Sequence, residues 1–448
     1  MPLLRIGFDD TDSSEGMCTT YLAYGIVGYL LERGAAFIDY PLLIRLNPNI
    51  PWKTRGNGAV ALHVEVDDEE RIIEEVRSLV QNNSHVGRGA NPGLVFYSGE
   101  IPAVLKKFAN IALYDVVSRN KAMEIAKKYG MQAYTFGNGQ GIVGAMSAIG
   151  MVLKDHTFEI ISYRKHENCD KLRELSVESV IAMAERTYPR TYNNYDYKHG
   201  RILITPRGPD PVFCGIRGED PGILLKAFLM LHINEELAGY MIFRTNHGTN
   251  MHVMHEFDLS NLRTYTSGYV LGKVESVPYT MEGGHTFFTL KNEQGTALCA
   301  VYEPTGLPQL AQRLIQGDLI EIGGGVRRAT SKHTKVINVE YIRILHTVPN
   351  FRYANPLCKK CAKRLKSDGR GKGYKCEKCG LKDHTAHKIA IEMPRDIKEG
   401  LYVPVPKAQR HLTKPLQRYG MEKSTYEDGL IPRWYCRFVS QNLILETN

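Results

Sequence analysis

The densest chemistry in the chain lies at its start, in Ile6-Gly7-Phe8-Asp9-Asp10-Thr11-Asp12-Ser13-Ser14-Glu15-Gly16-Met17-Cys18-Thr19-Thr20. Asp9, Asp10 and Asp12 crowd together and repel one another unless something positive sits among them. Mg²⁺ carrying a nucleotide suits such a set, because it takes a few carboxylate oxygens plus water and phosphate. Leu3 to Phe8 predicts a buried strand, and Cys18, Leu22, Ile26 and Leu30 recur at helical spacing. The helix opening near Gly16 to Thr19 aims unpaired N–H groups at the acidic turn, which favours phosphate there. Asp also caps helices and complements their dipoles, but three are more than a cap requires.

Other stretches carry phosphate chemistry. Pro51-Trp52-Lys53-Thr54-Arg55-Gly56-Asn57-Gly58-Ala59 leads into an alternating strand, so Lys53, Arg55 and bare backbone can approach a phosphate together. A plain surface turn on Gly56-Asn57-Gly58 is the other reading. Phe136-Gly137-Asn138-Gly139-Gln140-Gly141-Ile142-Val143-Gly144-Ala145 stands between a strand-like segment and an apolar helix. Gly137, Gly139 and Gly141 suit close approach of a phosphate or, equally, of another backbone. Further on, Arg207-Gly208-Pro209-Asp210-Pro211 and Arg217-Gly218-Glu219-Asp220 each pair an arginine with acids. Arg207 and Arg217 suit phosphate; Asp210, Glu219 or Asp220 suit a guanidinium. Turn chemistry and local ion pairs would use the same residues. His247, His252 and His255 are irregularly spaced and read as surface residues rather than metal ligands.

Cys358-Lys359-Lys360-Cys361 and Cys376-Glu377-Lys378-Cys379 form two CxxC knuckles 14 residues apart. Four thiolates so placed hold tetrahedral Zn²⁺, and so small a segment barely folds otherwise. Lys359, Lys360, Lys363, Arg364, Lys366, Arg370, Lys372, Lys375 and Lys378 surround them against only Asp368 and Glu377. That imbalance reads as a surface for a phosphate backbone.

These groups need a scaffold of several domains, since 448 residues exceed one core. The net charge of +9 favours an anionic partner such as nucleic acid. No apolar run approaches membrane-spanning length, so no membrane partner is expected. The N-terminus reaches Asp9 too early for a signal peptide, and the cysteine usage fits a reducing cytoplasm. The expected fold class is multidomain α+β. Residues 1–155 form an α/β domain around the acidic turn. Residues 156–262 read β-α-β-β-α-β, a ferredoxin-like order, with helices over Asp170 to Glu185 and Gly222 to Ile233 and strands at Arg201 to Thr205 and Val212 to Ile216. Residues 263–347 carry five strands with a short helix between the third and fourth, the order of an OB-fold β-barrel, where Tyr279, Phe287 and Phe288 could stack bases or fill the core. Residues 353–390 are the zinc ribbon, and 391–448 a basic C-terminal segment.

The string GFDDTDSSEGMCTTYLA, residues 7 to 23, resembles the start of the archaeal isoleucine-tRNA agmatinylcytidine synthetases. The domain order resembles theirs as well. The resemblance implies a kinase-like first domain, with Asp9, Asp10, Asp12 and Thr19 as catalytic residues. It implies ATP, Mg²⁺, agmatine and an isoleucine tRNA with a CAU anticodon. In such a reaction ATP is split to AMP and phosphate, the oxygen on carbon 2 of the wobble cytidine is phosphorylated, and the agmatine amine displaces that phosphate. The matching threonine of GMCTT, here Thr19, is the one the family phosphorylates. A threonine in the first turn of a helix can also simply satisfy backbone groups.

Two classes of function therefore compete. One is an ATP-dependent RNA-modifying enzyme. The other is a non-catalytic single-strand-binding protein built on the OB fold and zinc ribbon, which leaves Asp9, Asp10, Asp12 and the glycine loops without a role. ATP turnover separates them.

Overall fold

The computed structural model describes residues 2–54, 56–331, 334–425 and 429–438. Arg55 therefore lies outside the described residues.

The first half alternates strands and helices: β1 (Leu3–Asp9), α1 (Thr19–Glu32), β2 (Leu42–Arg45), β3 (Gly58–Glu65), α2 (Glu69–Asn83), β4 (Gly93–Tyr97), α3 (Ala103–Ile111), α4 (Arg119–Lys128), β5 (Gln132–Thr135) and α5 (Ile142–Gly150). Alternation along β1 dictates the layering. Leu4, Ile6 and Phe8 are fully buried with Leu22 and Ile26 of α1 and Ile72 and Val76 of α2. The opposite face is covered by α3, α4 and α5. There Gly7 is needed, because a Cβ would lie 2.4 Å from the Ala145 carbonyl oxygen of α5.

The second half adds β6 (Thr157–Arg164), α6 (Val177–Thr187), β7 (Thr191–Tyr192), β8 (Val212–Gly218), α7 (Pro221–Leu229) and β9 (Leu237–Thr245). Both halves share one 11-stranded sheet, ordered β5-β4-β1-β3-β2-β9-β6-β8-β7 along its main path. The seam is parallel and short, pairing Leu42 with Arg244 and Leu43 with Thr245. Helices α6 and α7 cover one face of the second half through Val180, Met183, Leu224 and Phe228.

A barrel follows: β10 (Ser267–Val274), β11 (Thr286–Asn292), β12 (Gly295–Val301), α8 (Pro308–Ala311), β13 (Leu319–Arg327) and β14 (Val336–His346). The ladder β10-β13-β14-β12-β11 closes where β10 pairs β11, giving a closed five-stranded barrel in the order expected of an OB fold. Phe288 and Phe287 are buried in it, so of the three aromatics only Tyr279, half exposed and stacked on Phe287, is open to a base. A two-stranded ribbon, β15 (Asn350–Ala354) with β16 (Ile389–Met393), carries the cysteine knuckles away from the barrel.

The tail does not stand apart. β17 (Gly400–Tyr402) pairs β14, and β18 (Tyr435–Arg437) pairs β9. Between them Arg410 holds Glu340 at 3.0 Å and Asn49 at 2.9 Å. Arg418, fully buried, holds Asp155 at 2.7 and 2.9 Å and Glu219 at 2.7 Å.

Three sequence expectations need correction. The helix expected from Asp170 begins at Val177, capped by the Ser176 hydroxyl accepting from Ser179 N–H at 3.1 Å. The Arg164 guanidinium takes the carbonyls of Cys169, Lys171 and Leu172, which a longer helix would have used. Of Arg201 to Thr205 only Arg201–Ile202 is strand, pairing Tyr195–Asp196, while the edge beside β8 is the short β7. His247 and His252 are not surface residues: both are fully buried, close to Glu159 (3.1 Å) and Glu340 (2.8 Å).

Candidate active-site cavity

A cavity of about 760 Å³ opens where the two halves of the sheet meet. Asp9, the last residue of β1, Asp10 and Asp12 form its acidic end, and Thr19 lines it at the start of α1. The turn between them is tight. Asp10 sits at φ 58°, and its N–H donates to Asp9 Oδ1 at 2.7 Å. The Thr11 hydroxyl donates to the Thr19 hydroxyl at 3.1 Å, fixing the side chain at the helix start. Burial, with Asp10 beside it, pushes the Asp9 carboxyl up to about 8; burial raises Asp10 as well. Carboxylates held in that state gain from a cation placed among them.

The glycine-rich loop serves both of the uses its sequence allowed. Gly141 and Gly144 line the cavity. They also let α5 reach β1, since a Cβ would lie 2.5 Å from the Asp9 carbonyl oxygen at Gly141 and 1.8 Å from Asp9 Oδ2 at Gly144. Gly137 (φ 61°) and Gly139 (φ 71°) shape the turn in the left-handed region without lining the cavity.

The far side is cationic. Lys53 and Arg217 line it, joined by Arg45 at the end of β2. Arg217 Nε donates to Glu159 Oε1 at 3.0 Å, and Arg45 Nε to His247 Nε2 at 2.6 Å. His411, from the tail, stacks on His247 with ring centres 5.0 Å apart and lies 2.9 Å from the Arg217 guanidinium. Burial pushes His247 down to about 3 and His411 well below its usual range, so both are neutral near pH 7. Glu159 is held ionised below the usual carboxylate range: burial opposes this, but Arg217 and Arg45 outweigh it. Acid at one end and guanidinium at the other is the polarity a metal–nucleotide requires.

Asp210 is buried in the wall of the same cavity, 3.6 Å from Arg173, and accepts from Val212 N–H at 3.0 Å. Three other candidates lie elsewhere. Arg207 is exposed and does not line the cavity, although Thr205 and Pro206 do. Glu219 faces Arg418 of the tail. Asp220 caps α7, accepting from Ile223 N–H at 2.9 Å, and pairs with Arg190. Sequence reasoning passed over Arg45, Glu159, Gly144 and His411. Glu159 left one trace, a carboxylate inside the otherwise buried strand Thr157–Arg164.

The ligand atoms of Cys358, Cys361, Cys376 and Cys379 all lie within 4.8 Å of one another, with Sγ–Sγ distances of 3.5 Å (358–379) and 3.4 Å (361–376). Such a set fits one tetrahedral Zn²⁺. His384 stays outside it, its Nδ1 2.9 Å from the Lys372 carbonyl oxygen.

A metal–nucleotide cavity, a closed barrel and a four-cysteine ribbon in one chain define a multidomain protein of the nucleotide-using, nucleic-acid-handling class. Family models place it within that class: the TiaS TCKD domain matches residues 5–138, the TiaS FLD domain 139–252 and the TiaS C-terminal zinc ribbon domain 355–397. The chain belongs to the TiaS family. The isoleucine-tRNA 2-agmatinylcytidine synthetase TiaS of Cenarchaeum symbiosum is 43% identical, with 96% of each chain covered. That of Archaeoglobus fulgidus is 38% identical over 93% of this chain and 98% of its own. Among solved structures, a complex of TiaS with its isoleucine tRNA and ATP superposes with a TM-score of 0.85 at 37% identity, covering 93% of this chain and 98% of that one. A complex of TiaS with the same tRNA, AMPCPP and agmatine gives 0.83 at 35%, with 93% and 98% covered. The first two family models meet at residues 138 and 139, ahead of α5, although α5 packs on the strands of the first half.

Proposed function

We infer that this chain is an isoleucine-tRNA 2-agmatinylcytidine synthetase, using ATP to join agmatine to carbon 2 of the wobble cytidine in the CAU anticodon. The observation that carries this is the near full-length match to TiaS proteins, two of whose structures are described as complexes with the isoleucine tRNA and either ATP or an analogue with agmatine. A purely nucleic-acid-binding protein has no use for a cavity that gathers Asp9, Asp10, Asp12 and Thr19 opposite Arg45, Lys53 and Arg217.

The finer assignments are supported by this geometry. Residues 1–155 act as the kinase-like unit, in which Asp9, Asp10 and Asp12 hold Mg²⁺, whose role is to neutralise phosphate charge. Lys53, Arg217 and the Gly141 backbone face the phosphates, with Arg55 of the same loop as a further candidate. Arg45 joins them through its place in the cavity. Residues 156–262 form a ferredoxin-like unit; the strand order β9-β6-β8-β7 with α6 and α7 on one face supports that reading. Asp210 is the acid placed to meet the agmatine guanidinium, because Glu219 and Asp220 are engaged by Arg418 and by α7. Residues 263–347 and 353–390 hold the RNA, and 391–448 fasten the units together. The tRNA named for the relatives supports work in the cytoplasm. Among the described residues no helix is long and apolar enough to cross a membrane.

Cytidine O2 is a poor leaving group until it carries a phosphoryl group. The amine nitrogen of agmatine then bonds to carbon 2, the C2–O2 bond breaks and phosphate departs with the electron pair. Thr19 is placed to take a phosphoryl group itself, because its hydroxyl lines the cavity at the α1 N-terminus, where a phosphate is favoured.

The test supplies ATP, agmatine and tRNA and looks for a wobble cytidine heavier by agmatine less water. Failure to form it, in protein that binds ATP and tRNA, overturns the reading. γ-Labelled ATP without tRNA tests Thr19. Label on Thr19, lost together with product in Thr19→Ala, supports its role; a fully active Thr19→Ala leaves it a helix-start residue.

A further inference from the structure

Trp52 is 56% exposed, an unusual place for the largest apolar side chain. It is not loosely placed. Its carbonyl oxygen accepts from Gln140 Nε2 of the glycine-rich loop at 2.8 Å, and it lines the catalytic cavity next to Lys53. Its ring meets Tyr265 edge-on, with centres 5.8 Å apart and planes at 71°. Tyr265 stands just before the barrel and is itself held in an unfavourable conformation. Its φ is 71°, a region that a bulky side chain rarely adopts. Its N–H donates to the Val326 carbonyl at 2.8 Å, and its carbonyl accepts from Asn47 Nδ2 at 2.8 Å. Such strain persists only where the surroundings impose it, and it clusters at binding sites.

Beyond this aromatic pair lies a second cavity, a groove of about 870 Å³ between the barrel and the tail. Pro51 and Tyr265 form its near wall, and Arg327, Arg328, His285 and Tyr302 line it further on. Arg327 and Arg328 are exposed. Arg410 closes one side, anchored on Glu340 and Asn49. The catalytic cavity and the groove thus share one wall, with Trp52 facing the first and Tyr265 the second. Cations that follow a backbone and aromatic faces that receive bases are the two requirements of a single-stranded nucleic-acid path.

We propose that the groove carries the anticodon-loop nucleotides adjoining the modified cytidine, and that Trp52 is the platform on which the neighbouring base stacks while the cytidine enters the catalytic cavity. This rests on the functional reading above. Tyr265 is the positioning residue: its edge fixes the indole plane. Arg327 and Arg328 take the phosphates.

The test uses the full chain and intact tRNA. Trp52→Ala is expected to raise the KM for tRNA by roughly five- to a hundredfold, the range that loss of one base–aromatic stack gives, while the KM for ATP stays within about twofold. Trp52→Phe keeps a ring and should remain within about threefold of the parent. A binding readout needs no chemistry. The chain has two tryptophans, so the difference in fluorescence quenching between the parent protein and Trp52→Phe on adding a CAU-containing oligonucleotide isolates Trp52. Arg327→Ala combined with Arg328→Ala should lower the slope of log affinity against log salt by about two. Product formation by the parent protein, with an unchanged tRNA KM in Trp52→Ala and no Trp52-dependent quenching, overturns the inference and leaves the enzyme assignment standing. An unchanged salt slope removes the groove from the path. If the parent makes no product, the functional reading fails, and quenching by the oligonucleotide still decides whether Trp52 stacks a base.

Discussion

Gly144→Ala is the sharpest perturbation of the acidic end. The added Cβ would lie 1.8 Å from Asp9 Oδ2 and 2.5 Å from its Cγ, where an ordinary contact begins at about 3.4 Å. One partner must therefore move by about 1.5 Å. The carboxylate is tethered, because its Oδ1 accepts from Asp10 N–H. The helix is wedged too: a Cβ at Gly7 would lie 2.4 Å from Ala145 O, and one at Gly93 2.0 Å from Ile142 N, so the backbones already touch. For stability two effects oppose. Alanine within a helix gains about 1 kcal/mol over glycine, and overpacking costs about 1–3 kcal/mol. Net destabilisation should stay within about 2 kcal/mol. Activity should suffer far more, because displacing a reacting constellation by about 1 Å can cost a hundredfold. The assay is ATP-dependent product formation alongside thermal unfolding. Gly25→Ala in α1 is the control, since its Cβ would meet nothing within 4 Å; it should be as stable or more so, and fully active. Gly144→Ala with kcat/KM within about threefold of the parent would show that the position of the Asp9 carboxylate is not used.

Arg418→Leu leaves Asp155 and Glu219 without their shared guanidinium and should cost about 3–5 kcal/mol in urea unfolding; a loss under about 1 kcal/mol would mean that the tail is not the tie described. Cys376→Ser, or chelation of the native protein, should unfold the ribbon and weaken tRNA binding while ATP binding persists, and metal analysis finding no zinc would refute the site. Below pH 6.5 the protein should lose stability through His247. Its folded value near 3 lies under the unfolded one, so the unfolded chain binds the extra proton, and the contribution is full above 6.5 and lost as pH falls towards 3. The slope from this group is at most about 1.4 kcal/mol per pH unit, and a His247→Asn profile as steep as the parent's would exclude it.

What the sequence disclosed was local. Strand β1, the acidic turn, the glycine loop and the CxxC knuckles are each defined by residues a few positions apart, and their spacing is their chemistry. The cationic end was hidden because its members meet across the chain: Arg45 with His247, and Arg217 with Glu159 and His411. His247 and His252 read as surface residues because nothing near them in sequence announces Glu159 or Glu340. The helix expected from Asp170 failed for a related reason. Its early carbonyls are claimed by Arg164, a residue on the preceding strand that propensity does not weigh. The tail read as a basic segment, yet its cations Arg410 and Arg418 are engaged by buried carboxylates within the protein.

That use of the tail explains where the cavity lies. The two halves of the sheet are joined by only two parallel residue pairs between β2 and β9, a seam too short to fix Arg45 of one half against Glu159 and Arg217 of the other. Guanidiniums this close repel, and Arg45 and Arg217 are held together by Glu159 between them and by neutral rather than charged histidines around them. One of those histidines, His411, comes from the tail, which β18 fastens to β9 and Arg418 fastens to Asp155 and Glu219. The anion-binding side therefore exists only when the first half, the second half and the tail are docked together, whereas the acidic side is complete within the first half. Metal binding and phosphate binding thus depend on different parts of the fold, and only their assembly yields a cavity with both polarities.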